Sequence, residues 1–283
     1  MTDPIPLQGL HVAITGGARG IGAATAERLR RDGARVTLGD LDIAAVEATA
    51  ARLGAVGLGL DVTERASFTA FLDAAEAAQG PLDILINNAG IMPIGPFLEE
   101  PDEVARRQFD VNVHGVILGM KIALPRMLAR GSGHVVNLAS AAGRIALPGE
   151  ATYVATKHAV VGLSEAARCE LEGTGVGVTT VLPNLANTRL GSGMQAARGM
   201  HKLEAADIAD AIVDGLRRRR PEVYVPASLR PLSVLDLALP RPVKRIVHRA
   251  FGSDQIAQQF DHVERASYQE TAGRPLHPPA GRR

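Results

Sequence analysis

Residues 10–22 read LHVAITGGARGIG, an apolar run followed by a turn with four glycines. The run predicts a β-strand over Leu10–Thr15, and Ala23–Arg31 predicts a helix that Asp32-Gly33 closes. Glycines in such a turn let the backbone approach a phosphate, and the helix N-terminus adds amide donors and the positive end of its dipole. The turn therefore predicts a nucleotide site, with a tight strand-to-helix connection as the alternative.

Beyond this turn, apolar runs alternate with helical patterns along the chain. Further strands are predicted over Ala34–Asp40, Ala55–Leu60, Leu82–Ile86, His134–Leu138, Val176–Leu182 and Glu222–Val225. Helices are predicted between them, over Asp42–Leu53, Glu64–Gln79, Thr152–Gly173 and Ala205–Arg218, with one or two long helices inside Pro101–Ala129. Largely apolar strands are typical of a parallel sheet with both faces covered. The alternation predicts an α/β fold, an open and doubly wound parallel sheet with helices on both faces.

Polar or turn residues stand where the predicted strands end. They are Thr15, Asp40, Asp61, Asn87, Ser140 and Pro183. Because ligands of doubly wound sheets bind outside the carboxyl ends of the strands, this edge of the sheet is the expected site of chemistry.

Charged residues near the glycine turn bear on which dinucleotide would bind. Asp40 ends the second strand, where a carboxylate accepts hydrogen bonds from both ribose hydroxyls and repels a 2′-phosphate. This favours NAD over NADP, and the alternative role of Asp40 as a helix N-cap suits Asp42 better. Arg19 favours NADP instead, because a basic residue in the turn can pair with a 2′-phosphate. Asp61 is predicted to hold the adenine edge, or else to be a polar strand terminus.

Tyr153 and Lys157 lie four residues apart, so one helical turn brings them to the same face. A free phenol has a pKa of about 10, and a fixed positive charge beside it lowers that value. Ser140, thirteen residues before Tyr153, can hydrogen-bond the oxygen of an alcohol or carbonyl substrate. Together the three residues predict a proton-transfer site, although a Tyr-x-x-x-Lys pattern alone occurs often by chance.

Taken in order, these motifs resemble those of a known family, the classical short-chain dehydrogenases/reductases. The matching motifs are Thr15-Gly16-x-x-x-Gly20-Ile21-Gly22, Asp61-Val62, Asn87-Asn88-Ala89-Gly90, Asn112, Ser140 and Tyr153-x-x-x-Lys157, at about the family's spacing over roughly residues 8 to 226. The resemblance implies a Rossmann-type catalytic and dinucleotide-binding domain over residues 1–226. It also implies a nicotinamide cofactor, NAD or alternatively NADP.

The resemblance further implies a role for each matching residue. Tyr153 would be the acid/base, and Lys157 would lower its pKa and bind the nicotinamide ribose. Ser140 would orient the substrate oxygen, and Asn112 would hold a water that continues the proton relay. The cofactor would be contacted by Gly16, Arg19, Gly20, Ile21, Gly22, Asp40, Asp61, Val62, Asn88, Ala89, Gly90, Tyr153, Lys157, Pro183 and Thr188.

One position departs from the family pattern. The family usually has a Pro-Gly pair after the sixth strand, where this chain has Pro183-Asn184. Asparagine tolerates left-handed backbone angles better than most residues, so the turn is expected to survive. Thr188, a little further on, matches the family threonine that contacts the nicotinamide carboxamide.

Composition narrows the class of protein. Hydrophobic residues make up 46% and charged residues 22% of the 283 residues, which is ordinary for a globular domain. A net charge of +1 and the absence of tryptophan argue against nucleic acid as a partner. Cys169 is the single cysteine, and the N-terminus lacks a secretory pattern, so a reducing, cytoplasmic location is expected. The histidines show no zinc-ligand spacing, and no catalytic metal is expected.

Substrate specificity in such a fold comes from loops over the strand ends. Three loops are candidates, Ile91–Phe97, Ala141–Thr152 and Leu190–His201, the last with glycines consistent with a mobile lid. Apolar residues in these loops predict a hydrophobic pocket, with ordinary core or lid packing as the alternative: Ile91, Met92, Ile145, Leu147, Leu190, Met194 and Met200. We therefore expect a hydrophobic alcohol, ketone or aldehyde as substrate.

Residues 227–283 form a C-terminal extension beyond the expected core. Apolar residues fall at helical spacing near 243–251, and basic residues occupy the other face of this predicted amphipathic helix. Packing on the same subunit, over the cleft or at an oligomer contact, is favoured, and contact with an anionic membrane surface is the alternative. The Pro- and Arg-rich end is expected to be disordered.

These patterns favour an enzyme that transfers a hydride between NAD and a CH–OH or C=O group. The resemblance adds a homodimer or homotetramer. A nucleotide-sensing or scaffold protein on the same fold is the alternative, and the presence of all four residues of the catalytic tetrad argues against it.

Overall fold

The computed structural model of the chain describes residues 5–194, 201–240, 242–244 and 261–273. Its strands are β1 His11–Thr15, β2 Arg35–Asp40, β3 Val56–Gly59, β4 Ile84–Asn87, β5 Gly133–Leu138, β6 Val176–Pro183 and β7 Glu222–Val225. Over the described residues they form one parallel sheet in the order β3-β2-β1-β4-β5-β6-β7. The order reverses between β1 and β4, the switch point at which such sheets bind ligands. The predicted doubly wound parallel sheet is confirmed.

Helices cover both faces of the sheet. They are α1 Gly20–Arg31, α2 Ile43–Leu53, α3 Arg65–Gln79, α4 Asp102–Phe109, α5 Gly115–Arg130, α6 Ala151–Glu170 and α7 Ala205–Arg217. One hydrophobic core joins α1, α2 and α7 to one face of the sheet, and a second core joins α3, α5 and α6 to the other. The central strand β1 is buried from both sides, and Val12, Ala13 and Ile14 have no exposed surface. This explains why the strands read as apolar runs.

The helix after the glycine turn begins earlier than its sequence pattern predicts. It starts at Gly20 rather than Ala23, because the last residues of the turn already form its first helical turn. The amide groups of that first turn therefore come from the glycine-rich segment itself, next to the end of β1.

The long helical stretch around Asn112 is interrupted. Between α4 and α5, Asp110–His114 form a π-helical turn centred on Asn112. Such single wide turns occur frequently at functional sites, because they place one side chain differently from its neighbours.

The C-terminal extension contributes α8 Leu229–Ala238 and α9 His262–Gly273, and residues 242–244 are also helical. The predicted amphipathic helix near 243–251 and the predicted disordered end lie largely outside the described residues. The sequence did not predict α9. None of the described helices combines the length and apolar character needed to cross a bilayer.

Candidate active site

A cavity of about 950 Å³ opens at the carboxyl ends of the strands. Its volume is at the upper end of the range for small-molecule sites, and its position is the one expected of a doubly wound sheet. Of the residues proposed from sequence, it is lined by Gly16, Arg19, Gly20, Ile21, Asp40, Asp61, Val62, Asn88, Ala89, Gly90, Ser140, Tyr153, Lys157, Pro183 and Thr188. Gly22 and Asn112 do not line it, and their places are described below.

The glycine turn leaves no room for side chains. Gly16 has a left-handed backbone (φ +67°), and a Cβ added there would lie 2.9 Å from Cα of Ala89. A Cβ at Gly22 would lie 2.3 Å from the carbonyl oxygen of Gly16, so Gly22 packs directly against the backbone of the turn. The turn is therefore a bare backbone surface at a helix N-terminus, which fits the pyrophosphate of a dinucleotide.

Asn88 and Thr15 fasten this turn across the switch point. The Asn88 side-chain amide donates to the carbonyl oxygens of Thr15 (2.8 Å) and Gly16 (3.0 Å). In return, the Thr15 hydroxyl accepts 3.0 Å hydrogen bonds from the backbone N–H groups of Asn88 and Ala89. The segment after β4 thus fixes the geometry of the glycine turn and borders the cavity with Ala89 and Gly90.

The carboxylate of Asp40 lies at the end of β2, on the cavity wall. Its oxygens accept hydrogen bonds from the backbone N–H of Ala18 (3.0 Å) and of Asp42 (3.1 Å). Arg19 donates to Asp42 at 2.6 Å, and both of these side chains are about half exposed. Asp42 also accepts a 3.1 Å hydrogen bond from the N–H of Ala45, which confirms it as the N-cap of α2.

The next strand end presents Asp61 and Val62 to the cavity. One oxygen of Asp61 accepts hydrogen bonds from the backbone N–H (2.9 Å) and hydroxyl (2.7 Å) of Thr63, so Asp61 also organises the turn after β3. Val62 packs against Gly115 at the start of α5, where an added Cβ would lie 3.0 Å from it.

Pro183 at the end of β6 and Thr188 in the loop after it line the cavity. The methyl group of Thr188 would lie 3.5 Å from a Cβ placed on Gly20, so this loop covers the glycine turn. Asn184 donates its backbone N–H to the carbonyl of Val225 at 2.8 Å. Among the described residues, Arg219 is the one non-glycine residue with positive φ. Asn184 therefore does not adopt the left-handed backbone for which asparagine was expected to be suited.

Helix α6 presents Tyr153 and Lys157 on the same face, and both side chains are buried. The Lys157 ammonium donates to the carbonyl oxygen of Leu138 at 2.9 Å and lies 5.6 Å from the centre of the Tyr153 ring. Burial lowers the pKa of Lys157 to about 8. Lys157 therefore releases its proton more readily than an exposed lysine does.

The acidity of Tyr153 is set mainly by burial. Burial raises the pKa of the Tyr153 phenol well above its usual value, and the negative charge of Glu150 raises it further. A hydrogen bond with the Ser140 side chain lowers the pKa but does not offset these effects. The net direction is opposite to the lowering attributed to Lys157, because desolvation is the largest effect on the pKa of this phenol.

Asn112 does not line the cavity, but its side chain holds the loop after β4 through hydrogen bonds. Its side-chain oxygen accepts from the N–H of Ile91, and its amide donates to the carbonyl of Ile91, both at 2.8 Å. The amide also donates to the hydroxyl of Thr156, next to Lys157, at 3.1 Å. Asn112 thereby couples the loop after β4 to the helix that carries the tyrosine and lysine.

The remainder of the cavity is largely apolar. The predicted residues that line it are Ile91, Met92, Ile145, Leu147, Leu190 and Met194, while Met200 lies outside the described residues. Residues of the C-terminal extension that were not predicted also line the cavity: Leu229, Leu232, Leu235, Leu239, Tyr268 and Ala272. The charged residues Arg107, Glu150, Arg189 and Asp236 were also missed. No group of three or more His, Cys, Asp or Glu side chains suited to a metal ion occurs in the described ranges.

Comparison with known proteins agrees with this geometry. A family model described as short chain dehydrogenase matches residues 10–199. The chain belongs to this family. Its match to the "Probable oxidoreductase EphD" of Mycobacterium tuberculosis is 32% identical over 262 residues and covers 88% of this chain. The chain spans 43% of the length of that relative.

Two further members of the family are similar over most of their length. The "2,5-dichloro-2,5-cyclohexadiene-1,4-diol dehydrogenase LinX" of Sphingobium indicum is 40% identical over 187 residues, which are 64% of this chain and 75% of that protein. A solved short chain dehydrogenase/reductase from Burkholderia phymatum, in complex with NAD, superposes with a TM-score of 0.76 and 29% identity. That match covers 86% of this chain and 96% of the other.

Proposed function

We propose that this chain is an oxidoreductase that transfers a hydride between a nicotinamide cofactor and the CH–OH or C=O carbon of a largely apolar substrate. One observation carries the proposal: a single cavity is lined both by the bare glycine turn and by the group of Ser140, Tyr153 and Lys157. The glycine turn suits a dinucleotide, which exchanges the hydride, and the group of Ser140, Tyr153 and Lys157 suits proton transfer to and from oxygen. Alcohol oxidation requires both transfers.

The residues would divide the chemistry in a definite way. A bound nicotinamide supplies the hydride acceptor or donor at its C4 carbon. Tyr153 takes the hydroxyl proton of an alcohol during oxidation and returns a proton during reduction, while Ser140 holds the reacting oxygen. Lys157 binds the nicotinamide ribose and, with its pKa of about 8, passes the proton onward. Because burial keeps the Tyr153 phenol protonated, positive charge near it is needed to release that proton.

The charges around the adenosine end favour NAD over NADP. Asp40 lines the cavity and Asp42 lies beside it, so a 2′-phosphate would approach two carboxylates. Arg19, the residue that would attract this phosphate, already forms an ion pair with Asp42. The solved relative from Burkholderia phymatum holds NAD, which supports the same preference.

Cofactor titration combined with a turnover screen tests this proposal. Fluorescence titration of the purified protein with NADH and with NADPH should give tighter binding of NADH. Oxidation of apolar alcohols should then produce NADH in the presence of NAD. If neither dinucleotide binds and no alcohol or carbonyl compound is turned over, the proposal is wrong.

A further inference from the structure

Glu150 places an acidic side chain on the wall of a largely apolar cavity. It lies at the N-cap of α6, three residues before Tyr153, and lines the cavity although only 4% of its surface is exposed. Within the described residues, its carboxyl group has neither a hydrogen-bond nor an ion-pair partner. A buried carboxyl group without a partner is costly, so its position at the wall of a ligand cavity requires a reason.

Arg265, whose charge acts on Glu150, does not supply that partner. The positive charge of Arg265 acts on Glu150 through space, but its guanidinium donates to the backbone carbonyls of Met92, Leu190 and Ser192. Burial raises the pKa of Glu150 to about 7. A carboxyl group offers acceptor oxygens in both of its protonation states, and Glu150 lines the cavity in which a substrate would lie.

A complementary donor comes from the C-terminal extension. Tyr268 of α9 lines the same cavity and is 8% exposed. Its hydroxyl oxygen accepts a 2.7 Å hydrogen bond from the N–H of Met92. No acceptor for the hydroxyl proton is found among the described residues, so that proton is available to a ligand. Glu150 lies three residues before Tyr153 on α6, and Met92, to which Tyr268 is hydrogen-bonded, belongs to the same hydrophobic cluster as Tyr153.

We propose that Glu150 and Tyr268 form a second polar subsite, which binds a hydroxyl group of the substrate other than the one that reacts. The inference rests on the proposed function and narrows its substrate to apolar diols and hydroxyketones. Glu150 accepts the hydrogen bond of the second hydroxyl, and Tyr268 donates to its oxygen. A hydroxyl fits better than an ammonium group, because a hydroxyl both donates to the Glu150 carboxyl group and accepts from the Tyr268 hydroxyl, whereas an ammonium group only donates.

Matched pairs of substrates test the subsite. Cycloalkanediols and alkanediols are compared with the mono-alcohols of the same carbon skeleton, and the ratio of kcat/KM values, diol over mono-alcohol, is the readout. The wild-type ratio should exceed the factor of about 2 that two equivalent hydroxyls give by statistics. In Glu150→Leu this ratio should fall by about 10- to 100-fold, the range for one hydrogen bond to a charged group.

Controls separate recognition from folding. Glu165→Leu changes an exposed glutamate of the same helix and should leave the ratio unchanged. If Glu150→Leu does not fold, Glu150→Gln and Tyr268→Phe keep the shape of the site, and each should lower the ratio by about 3- to 10-fold. A merely structural role for Glu150 would lower both kcat/KM values together and leave their ratio where it was.

The contrary outcomes are distinguishable from failure of the proposed function. Equal kcat/KM per hydroxyl for diols and mono-alcohols, a ratio insensitive to Glu150→Leu, or oxidation of none of the diols overturns the subsite. Preference for amino-alcohols over diols overturns the choice of a hydroxyl. If the protein binds NADH and oxidises only mono-alcohols, the proposed function stands and only the subsite is wrong. If it neither binds NADH nor oxidises any alcohol, the proposed function is wrong as well.

Discussion

The hydroxyl oxygen of Tyr268 accepts a 2.7 Å hydrogen bond from the backbone N–H of Met92, 176 residues earlier in the chain. On the same helix, α9, Arg265 donates to the carbonyls of Leu190 (3.1 Å) and Ser192 (2.8 Å) and to that of Met92. One helix of the extension therefore joins the loop after β4 to the loop after β6, the two loops that border the substrate end of the cavity.

Replacement of Arg265 should loosen the attachment of α9 to the loops after β4 and β6. Arg265 has no exposed surface, and Arg265→Met leaves three backbone carbonyls without their donor, which should cost about 3 kcal/mol or more. We expect faster hydrogen exchange over residues 261–273 and a higher KM, with NADH affinity changed little. The exposed Arg218→Met is the matched control. Unaltered exchange of α9 in Arg265→Met would show that the helix is held in another way.

The closed geometry of the glycine turn predicts that even one methyl group disrupts it. A Cβ at Gly22 meets the Gly16 carbonyl oxygen at 2.3 Å, so Gly22→Ala should cost about 1–3 kcal/mol and weaken NADH binding. Gly162 in α6 has nothing within 4 Å of an added Cβ, and Gly162→Ala should stabilise the chain by about 0.5–1 kcal/mol. Thermal unfolding and NADH titration measure both. A tolerated Gly22→Ala with normal NADH affinity would contradict this account of the turn.

The charge of Asp40 should set the cofactor preference. Replacing Asp40 removes its repulsion of a 2′-phosphate, worth about 1–4 kcal/mol at close range, so the ratio of kcat/KM for NAD over NADP should fall about 10-fold or more. Asp40→Asn keeps an acceptor for the N–H of Ala18, and Asp40→Ala does not. A shift in both variants indicates charge, and an unchanged ratio in both would rule out this role of Asp40.

The buried carboxyl of Glu150 should make stability depend on pH. Its pKa is raised by burial from 4.5 to about 7, so the folded state holds the proton more tightly than the unfolded chain. The resulting stabilisation is present below pH 4.5 and is lost as the pH rises towards 7, which amounts to about 3 kcal/mol. In Glu150→Gln this position no longer titrates, so the variant does not lose that stabilisation as the pH rises. Its free energy of unfolding relative to wild type should therefore rise between about pH 5 and about pH 8.

Urea unfolding at the two pH values measures that difference. Glu165→Gln, on the exposed side of α6, provides the control and should track wild type at both. A constant offset between wild type and Glu150→Gln at all pH values would mean that Glu150 does not titrate in this range.

The sheet and the cofactor end of the cavity were predictable because their signals are local. Each buried strand is an apolar run, and the glycine turn joins a strand to a helix within thirteen residues. The order of the motifs then placed Asp40, Ser140 and Tyr153 at one edge of the sheet, and the structure brings all three to one cavity.

The substrate end was not predictable, because its residues become important only through packing. Arg265 and Tyr268 lie in a polar C-terminal segment, where an arginine is ordinarily exposed, and only the fold buries them against loops far away in sequence. Glu150 looked like part of a loop, since nothing in its neighbours shows that its carboxyl would face an apolar cavity. The rise in the pKa of Tyr153 was missed for the same reason, as desolvation depends on the assembled site.

The central claim, that Tyr153 exchanges the proton in a nicotinamide-dependent reaction, is tested most directly by Tyr153→Phe. NADH titration and steady-state turnover are measured side by side on wild type, Tyr153→Phe and the control Tyr224→Phe, whose hydroxyl bonds Glu222 away from the cavity. We predict that all three bind NADH within about 2-fold of one another and that kcat falls by about 10²- to 10⁴-fold in Tyr153→Phe alone. Turnover retained in Tyr153→Phe would contradict the assignment of the acid/base.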